Sequence, residues 1–221
     1  MDTKRKALLI GATGLIGSYL QEEILENSDY EQLTTFVRTP TNQSHPKLKE
    51  VVVSFDELAQ YLDHFQVDDV FIALGTTRKK AGSKENFKKV DFDLVVESAK
   101  LAKSSGVTRI AIVSALGANE NSSVFYNNVK GKMESAVKEI GIRSTYFFRP
   151  SLLLGDRKEF RFGEKIGEQV AWLLNPVLKG KWRKYQAVHG KAVAKAMIRF
   201  LKDARDGVHI VESDLIKKLF S

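Results

Sequence analysis

The chain has 221 residues, enough for one domain with a sizeable core. Its 43% hydrophobic and 28% charged residues are the balance of an ordinary globular protein. The absence of cysteine excludes disulfides, thiolate metal sites and cysteine nucleophiles, and a net charge of +8 is carried without any long basic block.

In chain order, residues 6–10 read as a first strand and 15–27 as a helix. Leu33–Val37 is apolar and β-branched, a second strand, and 40–46 is a polar loop. A short third strand at Val51–Val53 and a short helix at 56–63 follow. Val70–Leu74 reads as a fourth strand ending at Gly75, with a basic loop over 76–84. Val90, Leu94, Val95, Ala99 and Ala102 recur at helical spacing and predict a helix over 87–104. Ile110–Val113 is a fifth strand, 127–140 a helix, and Ser144–Phe148 a sixth strand. Strands that alternate with helices and read as continuous apolar runs predict an α/β fold, a doubly wound parallel sheet covered on both faces.

From Ser151 this rhythm breaks. A helix is expected near Ile166–Leu174, an amphipathic helix over Val193–Leu201, and an edge strand at Val208–Val211. The whole chain is read as a single domain, with a core over about 1–150 and a small lobe over about 151–221 closing the site.

The richest signal is at the N-terminus. A strand ends at Gly11, and Gly14 and Gly17 follow at intervals of three as a helix begins. This spacing suits a dinucleotide: Gly11 for the sharp turn, Gly14 for close approach of the pyrophosphate, Gly17 for packing of helix on strand. The free N–H groups of the new helix favour phosphate. Thr13, Leu15 and Ile16 complete the expected cradle. A site preferring NAD usually carries an acid at the end of the second strand. Here that place is Arg38, which suits a 2′-phosphate, so NADPH is expected over NADH.

A second constellation lies in the middle of the chain. Strand five ends at Ser114, and Tyr126 and Lys130 follow, four apart and on one helical face. Carbonyl reduction needs a proton donor, a charge that favours its ionised form, and a group that positions the substrate oxygen. Tyr126, Lys130 and Ser114 fit those three roles.

Together these motifs resemble the short-chain dehydrogenase/reductase superfamily, in its atypical branch. The stretches Leu74–Gly82, Val90–Asp93, Ser114–Ala118, Tyr126 with Lys130-Gly131, and Phe148–Pro150 through Asp156-Arg157 are similar to the Tat-interactive protein group of NADP-binding members. The likeness runs from about residue 6 to about 165. It implies NADPH in the cleft, with Leu74, Gly75, Thr76, Thr77 and Arg78 near its centre. It also implies that Pro150, Ser151, Leu152 and Leu153 lie by the nicotinamide and that Lys130 also binds the nicotinamide ribose. Ser54, followed by Phe55, stands where the family often has an aspartate beside adenine.

The function expected is NADP(H)-dependent oxidation or reduction of an unidentified small molecule. The alternative is an NADPH-binding regulatory or scaffold protein that reports cofactor state to a protein partner. No nucleic-acid partner and no catalytic metal are expected, since the four histidines show no ligand spacing. A monomer or homodimer is anticipated. Lys4–Lys6 before an apolar run imitates a secretory leader, but the run carries the three glycines, and no run is long enough to span a bilayer. The default expectation is a cytoplasmic location. Arg38→Asp is expected to erase the preference for NADPH; paired titrations with NADPH and NADH measure it.

Overall fold

The computed structural model describes residues 4–155 and 186–220. In chain order these form β1 (Arg5–Ile10), α1 (Leu15–Glu26), β2 (Tyr30–Val37), β3 (Leu48–Val52), a 3-10 helix (Phe55–Phe65), and β4 (Asp69–Ile72). Two short helices, α2 (Arg78–Ala81) and α3 (Lys84–Lys88), lead through a π-helical turn (Lys89–Asp93) into α4 (Leu94–Ser104). Next come β5 (Arg109–Val113), α5 (Phe125–Ile140), β6 (Ser144–Arg149), and β7 (Leu153–Leu154). After the undescribed stretch come β8 (Val188–His189), α6 (Gly190–Lys202), β9 (Gly207–Glu212), and α7 (Ser213–Phe220).

Seven strands form one sheet in the order β3-β2-β1-β4-β5-β6-β9, and every pairing is parallel. This is the doubly wound arrangement, with its reversal of strand order between β1 and β4. β1 shows why its run is apolar throughout. Ala7 and Leu9 face a core shared with Leu20 and Ile24 of α1 and Val193, Met197 and Leu201 of α6. Leu8 and Ile10 face the opposite core, with Val95 and Ala99 of α4 and Met133 and Val137 of α5. A strand buried on both faces has no polar side to alternate with.

The amino ends of the strands are tied by charge. Asp69, fully buried, accepts hydrogen bonds from the Tyr30 hydroxyl at 2.7 Å and Arg109 Nε at 2.5 Å, with Arg5 Nη1 at 3.5 Å. Burial raises the Asp69 carboxyl above its usual range, against the pull of Arg109, Tyr30 and Arg5. The strand therefore starts at Asp69, one residue before the apolar run, and stops at Ile72.

Two expectations change. The basic loop over 76–84 contains α2, capped by Thr77 Oγ1, which accepts from the Lys80 N–H at 3.1 Å. The helix over 87–104 is interrupted by the π-helical turn. The expected edge strand at Val208–Val211 is present as β9, beside β6, and α6 packs on α1. His189 caps α6 by accepting the Lys191 N–H at 3.2 Å. The expected helix near Ile166–Leu174 lies outside the described residues.

The glycine turn is built by close approach. Gly11 has φ +99°, and a Cβ on it would fall 2.7 Å from the Ala73 backbone. A Cβ on Gly17 would fall 2.0 Å from the Gly11 carbonyl oxygen, so only glycine lets α1 sit this close to the end of β1. Gly14 is different: its Cβ would find its nearest neighbour at 3.4 Å, and its φ is an ordinary −79°. Gly17→Ala is expected to lower unfolding free energy by about 3 kcal/mol or more. Gly14→Ala is expected to unfold close to the wild-type midpoint; urea titrations of both compare them.

Candidate active site

A cavity of about 390 Å³ lies beyond the carboxyl ends of β1, β4, β5 and β6. Open parallel sheets bind ligands at this end, where strand order reverses. Its walls are Gly14, Leu15 and Ile16 at the start of α1, and Leu74 to Arg78 after β4. Phe87 and Asp91 add a further wall, followed by Ser114 after β5, Tyr126 and Lys130 on α5, and Pro150 to Leu153 after β6. The structure thus brings together fifteen of the residues expected from sequence: Gly14, Leu15, Ile16, Leu74, Gly75, Thr76, Thr77, Arg78, Ser114, Tyr126, Lys130, Pro150, Ser151, Leu152 and Leu153.

The others lie beyond its walls. Gly11 and Gly17 shape the turn behind it. Thr13 is exposed. Arg38 follows β2 and is exposed; the Ile10–Phe36 register sets it just past the strand end beside the glycine turn. Ser54 and Phe55 stand after β3, the next strand outward. These three extend the same sheet edge away from the cavity.

The mouth of the cavity at α1 suits phosphate. No side chain caps the helix at Gly14, and its first turn carries no acid. The first N–H groups and the positive dipole end are therefore unanswered from within the helix. Gly14 needs no bareness for packing, as its free space shows, so the bareness serves approach from outside.

Two charged residues that the sequence did not point to as site residues complete the site: Asp91 on the cavity wall, and Glu134 bonded to Ser114. Lys130, 2% exposed, forms an ion pair with Asp91 Oδ1 at 2.8 Å. Asp91, 1% exposed, also accepts the Thr76 N–H at 2.8 Å. Asp91 read as a helix-surface or capping residue. The π-helical turn overturns that reading: the added residue in the turn rotates Asp91 inward and leaves Val90 only half-buried. One turn beyond Lys130, Glu134 accepts from Ser114 Oγ at 2.5 Å. It also takes Arg149 Nε at 2.9 Å and Nη2 at 2.6 Å. Its signal was in the sequence, since Tyr126, Lys130 and Glu134 repeat every four residues along one helix face.

The electrostatics follow from these pairs. Burial works against the Lys130 charge, but Asp91, Tyr126 and Glu134 outweigh it and hold the ammonium above the usual lysine range. The hydrogen bonds to Glu134 outweigh burial at Arg149 and likewise raise its guanidinium. Tyr126 is 38% exposed, and its ring meets Phe87 edge-on at 5.8 Å between centroids. Ser151 is turned from the cavity by its own bonds: its N–H donates to Ser213 Oγ and its hydroxyl to the Gln186 carbonyl. Arg157, Arg161, Trp172 and Trp182, weighed for substrate contact or packing, lie outside the described residues.

A family model described as NAD(P)H-binding matches residues 11–170. The chain belongs to this NAD(P)H-binding family. It is 34% identical over 220 residues to Protein HTATIP2 of Rattus norvegicus, covering 97% of this chain and 89% of that protein. It is 34% identical over 223 residues to Protein FMP52, mitochondrial, of Candida albicans, covering 96% of each. Among solved structures, the Bordetella bronchiseptica enzyme WbmH in complex with NAD+ superposes with a TM-score of 0.73 at 18% identity, over 99% of this chain and 80% of that one. MoeE5 in complex with UDP-glucose and NAD gives 0.70 at 17% identity, over 97% and 80%. The resemblance to the Tat-interactive group and the Rossmann-like fold are thereby borne out. The expected cytoplasmic location is not: FMP52 proteins of several fungi are named mitochondrial, and that corrects it. Among the described residues, no helix is long and apolar enough to cross a membrane.

Asp91→Ala strands a buried ammonium and is expected to cost about 3–5 kcal/mol of stability. The pH dependence has a definite sign. A lysine raised above 10.5 contributes stability that is full below that value and lost as pH rises through its native pKa. The stability that Lys130 contributes is therefore flat through neutral pH and falls in the alkaline range. The alkaline loss should be smaller in Asp91→Asn, as urea titrations across pH would measure.

Proposed function

We propose that this chain is an NADP(H)-dependent oxidoreductase that interconverts a small carbonyl compound and its alcohol. What carries the reading is one continuous cavity whose walls include both the uncapped start of α1 and the set Ser114, Tyr126 and Lys130. The residues fit the cofactor. The bare Gly14 and the free N–H groups of α1 take the pyrophosphate, and the Thr76–Arg78 segment holds its middle. Arg38 takes the 2′-phosphate, as a planar guanidinium with no acid beside it on β2.

When bound, the reduced nicotinamide supplies a hydride. The chain supplies the proton and the alignment. Tyr126, open to the cavity, gives its phenolic proton to the substrate oxygen in reduction and takes it back in oxidation. Lys130 remains charged and stabilises the negative charge that grows on the phenol oxygen as the proton leaves. Asp91 keeps that ammonium in place and ties it to the Thr76 peptide, so the lysine is positioned by the segment that meets the cofactor. Phe87 and Leu153 exclude water from the reacting end.

Tyr126→Phe removes one oxygen from a half-exposed position and should leave NADPH affinity within about twofold, while carbonyl reduction falls by about 10²-fold or more. NADPH oxidation across a panel of aldehydes and ketones, with fluorescence titration of NADPH, reads both. Retained turnover would overturn the role of Tyr126. NADPH binding with no turnover by wild type would favour the regulatory alternative.

A further inference from the structure

A serine hydroxyl has one proton to donate and lone pairs with which to accept. Ser114 Oγ lies 2.5 Å from Glu134 Oε1. Glu134 is 1% exposed, and Arg149 spans both its oxygens. A carboxylate paired in this way is ionised and can only accept. The proton in the short contact therefore comes from Ser114. The backbone holds the residue in that pose, since the Ser114 N–H donates to the Phe148 carbonyl at 2.7 Å. What Ser114 keeps for the cavity it lines is lone pairs.

This matters for what can bind. A carbonyl oxygen is itself an acceptor, and against Ser114 it would meet a second acceptor. An unpaired buried acceptor costs more than a hydrogen bond gains. A hydroxyl set against Ser114 is satisfied. Tyr126 has no comparable commitment, since no hydrogen bond holds its hydroxyl among the described residues.

We propose that Glu134 is a positioning residue that fixes Ser114 as a hydrogen-bond acceptor, and that the site takes carbonyl compounds carrying a hydroxyl on the neighbouring carbon. The proposal rests on the oxidoreductase reading and names its substrate class. The Tyr126 phenol donates to the carbonyl oxygen, and the neighbouring hydroxyl donates to Ser114 Oγ. In reduction the carbonyl carbon gains the nicotinamide's hydride and the oxygen gains the Tyr126 proton, giving a vicinal diol and the oxidised cofactor. Ser114, Glu134 and Arg149 neither gain nor lose a proton. In the reverse direction a vicinal diol loses a hydride and a proton along the same route.

The test separates binding from turnover. Full-length protein saturated with NADP+, which cannot reduce a ketone, is titrated by calorimetry with 2-hydroxyacetophenone and with acetophenone. The same pair is then offered as substrates with NADPH. Wild type should bind the hydroxy ketone about tenfold more tightly than the plain ketone. Ser114→Ala should bring the two together. Glu134→Ala should do so as well, because it removes the acceptor and frees the serine proton to turn toward the cavity. The melting temperature and NADP+ affinity of each variant report its fold, and the ratio of the two ketones is a quantity that a merely structural Glu134 would leave alone. Equal binding of the two ketones by wild type, or no binding of either, overturns the proposal. So does a preference that persists in a folded Ser114→Ala or Glu134→Ala. A preference in binding with no turnover of either ketone supports the proposal and counts against the oxidoreductase reading. Turnover of both ketones with equal affinity does the reverse.

Discussion

The site depends on the inner face of α5. Three residues four apart on that face each engage a different part of the fold. Tyr126 meets Phe87, Lys130 meets Asp91 in the π-helical turn, and Glu134 meets Ser114 after β5 and Arg149 at the end of β6. Two ions of each sign are thus brought out of water beneath one cavity. Such groups are costly to bury, and leaving any one unpaired costs several kcal/mol. The helix can therefore dock in only one rotation and one register. Gly131 reinforces this: a Cβ there would fall 2.1 Å from the backbone of Asn119 and Glu120. The same constraint that fixes α5 fixes the phenol above it.

Much of this was legible in the amino-acid sequence because it rests on short-range pattern. The glycine turn announced itself through three spacings and a preceding strand. The parallel sheet followed from apolar runs without alternation, and β1 shows the reason, with Ala7 and Leu9 buried on one side and Leu8 and Ile10 on the other. Fifteen of the expected site residues line one cavity because most follow strand ends, which converge on one edge of a parallel sheet, and Tyr126 and Lys130 face that edge from α5.

What was not legible depended on departures from regular geometry or on pairing across the sheet. Asp91 was misread because a helix of 3.6 residues per turn puts Val90 on the buried face, and only the π-helical turn moves that face along by one residue. Glu134 drew no reading from the sequence, since its partners, Ser114 and Arg149, lie 20 and 15 residues away in the chain. That the expected edge strand at Val208–Val211 pairs with β6 needed a contact between distant segments that no local pattern encodes. The location of the protein in the cell was read from the absence of a spanning run, which is not evidence of a compartment.

The distribution of charge along the sheet explains why the fold can afford so specific a site. At the amino ends of the strands Asp69 is locked by Tyr30, Arg109 and Arg5, far from the cavity and with no opening toward it. At the carboxyl ends Lys130 and Asp91 line the cavity, and the Glu134–Arg149 pair is bonded to Ser114, which lines it too. The first network can only hold β1, β4 and β5 together. The second does that for β5, β6 and α5 and also sets which hydrogen-bonding groups face a ligand: a phenol free to donate, and a serine held as an acceptor. Hydrophobic packing alone would align the same helices, because both cores run the length of the sheet. It would not orient a hydroxyl proton. That the buried carboxylate lies where it dictates the polarity of Ser114 is the feature that separates a chemically selective cavity from a merely well-packed one.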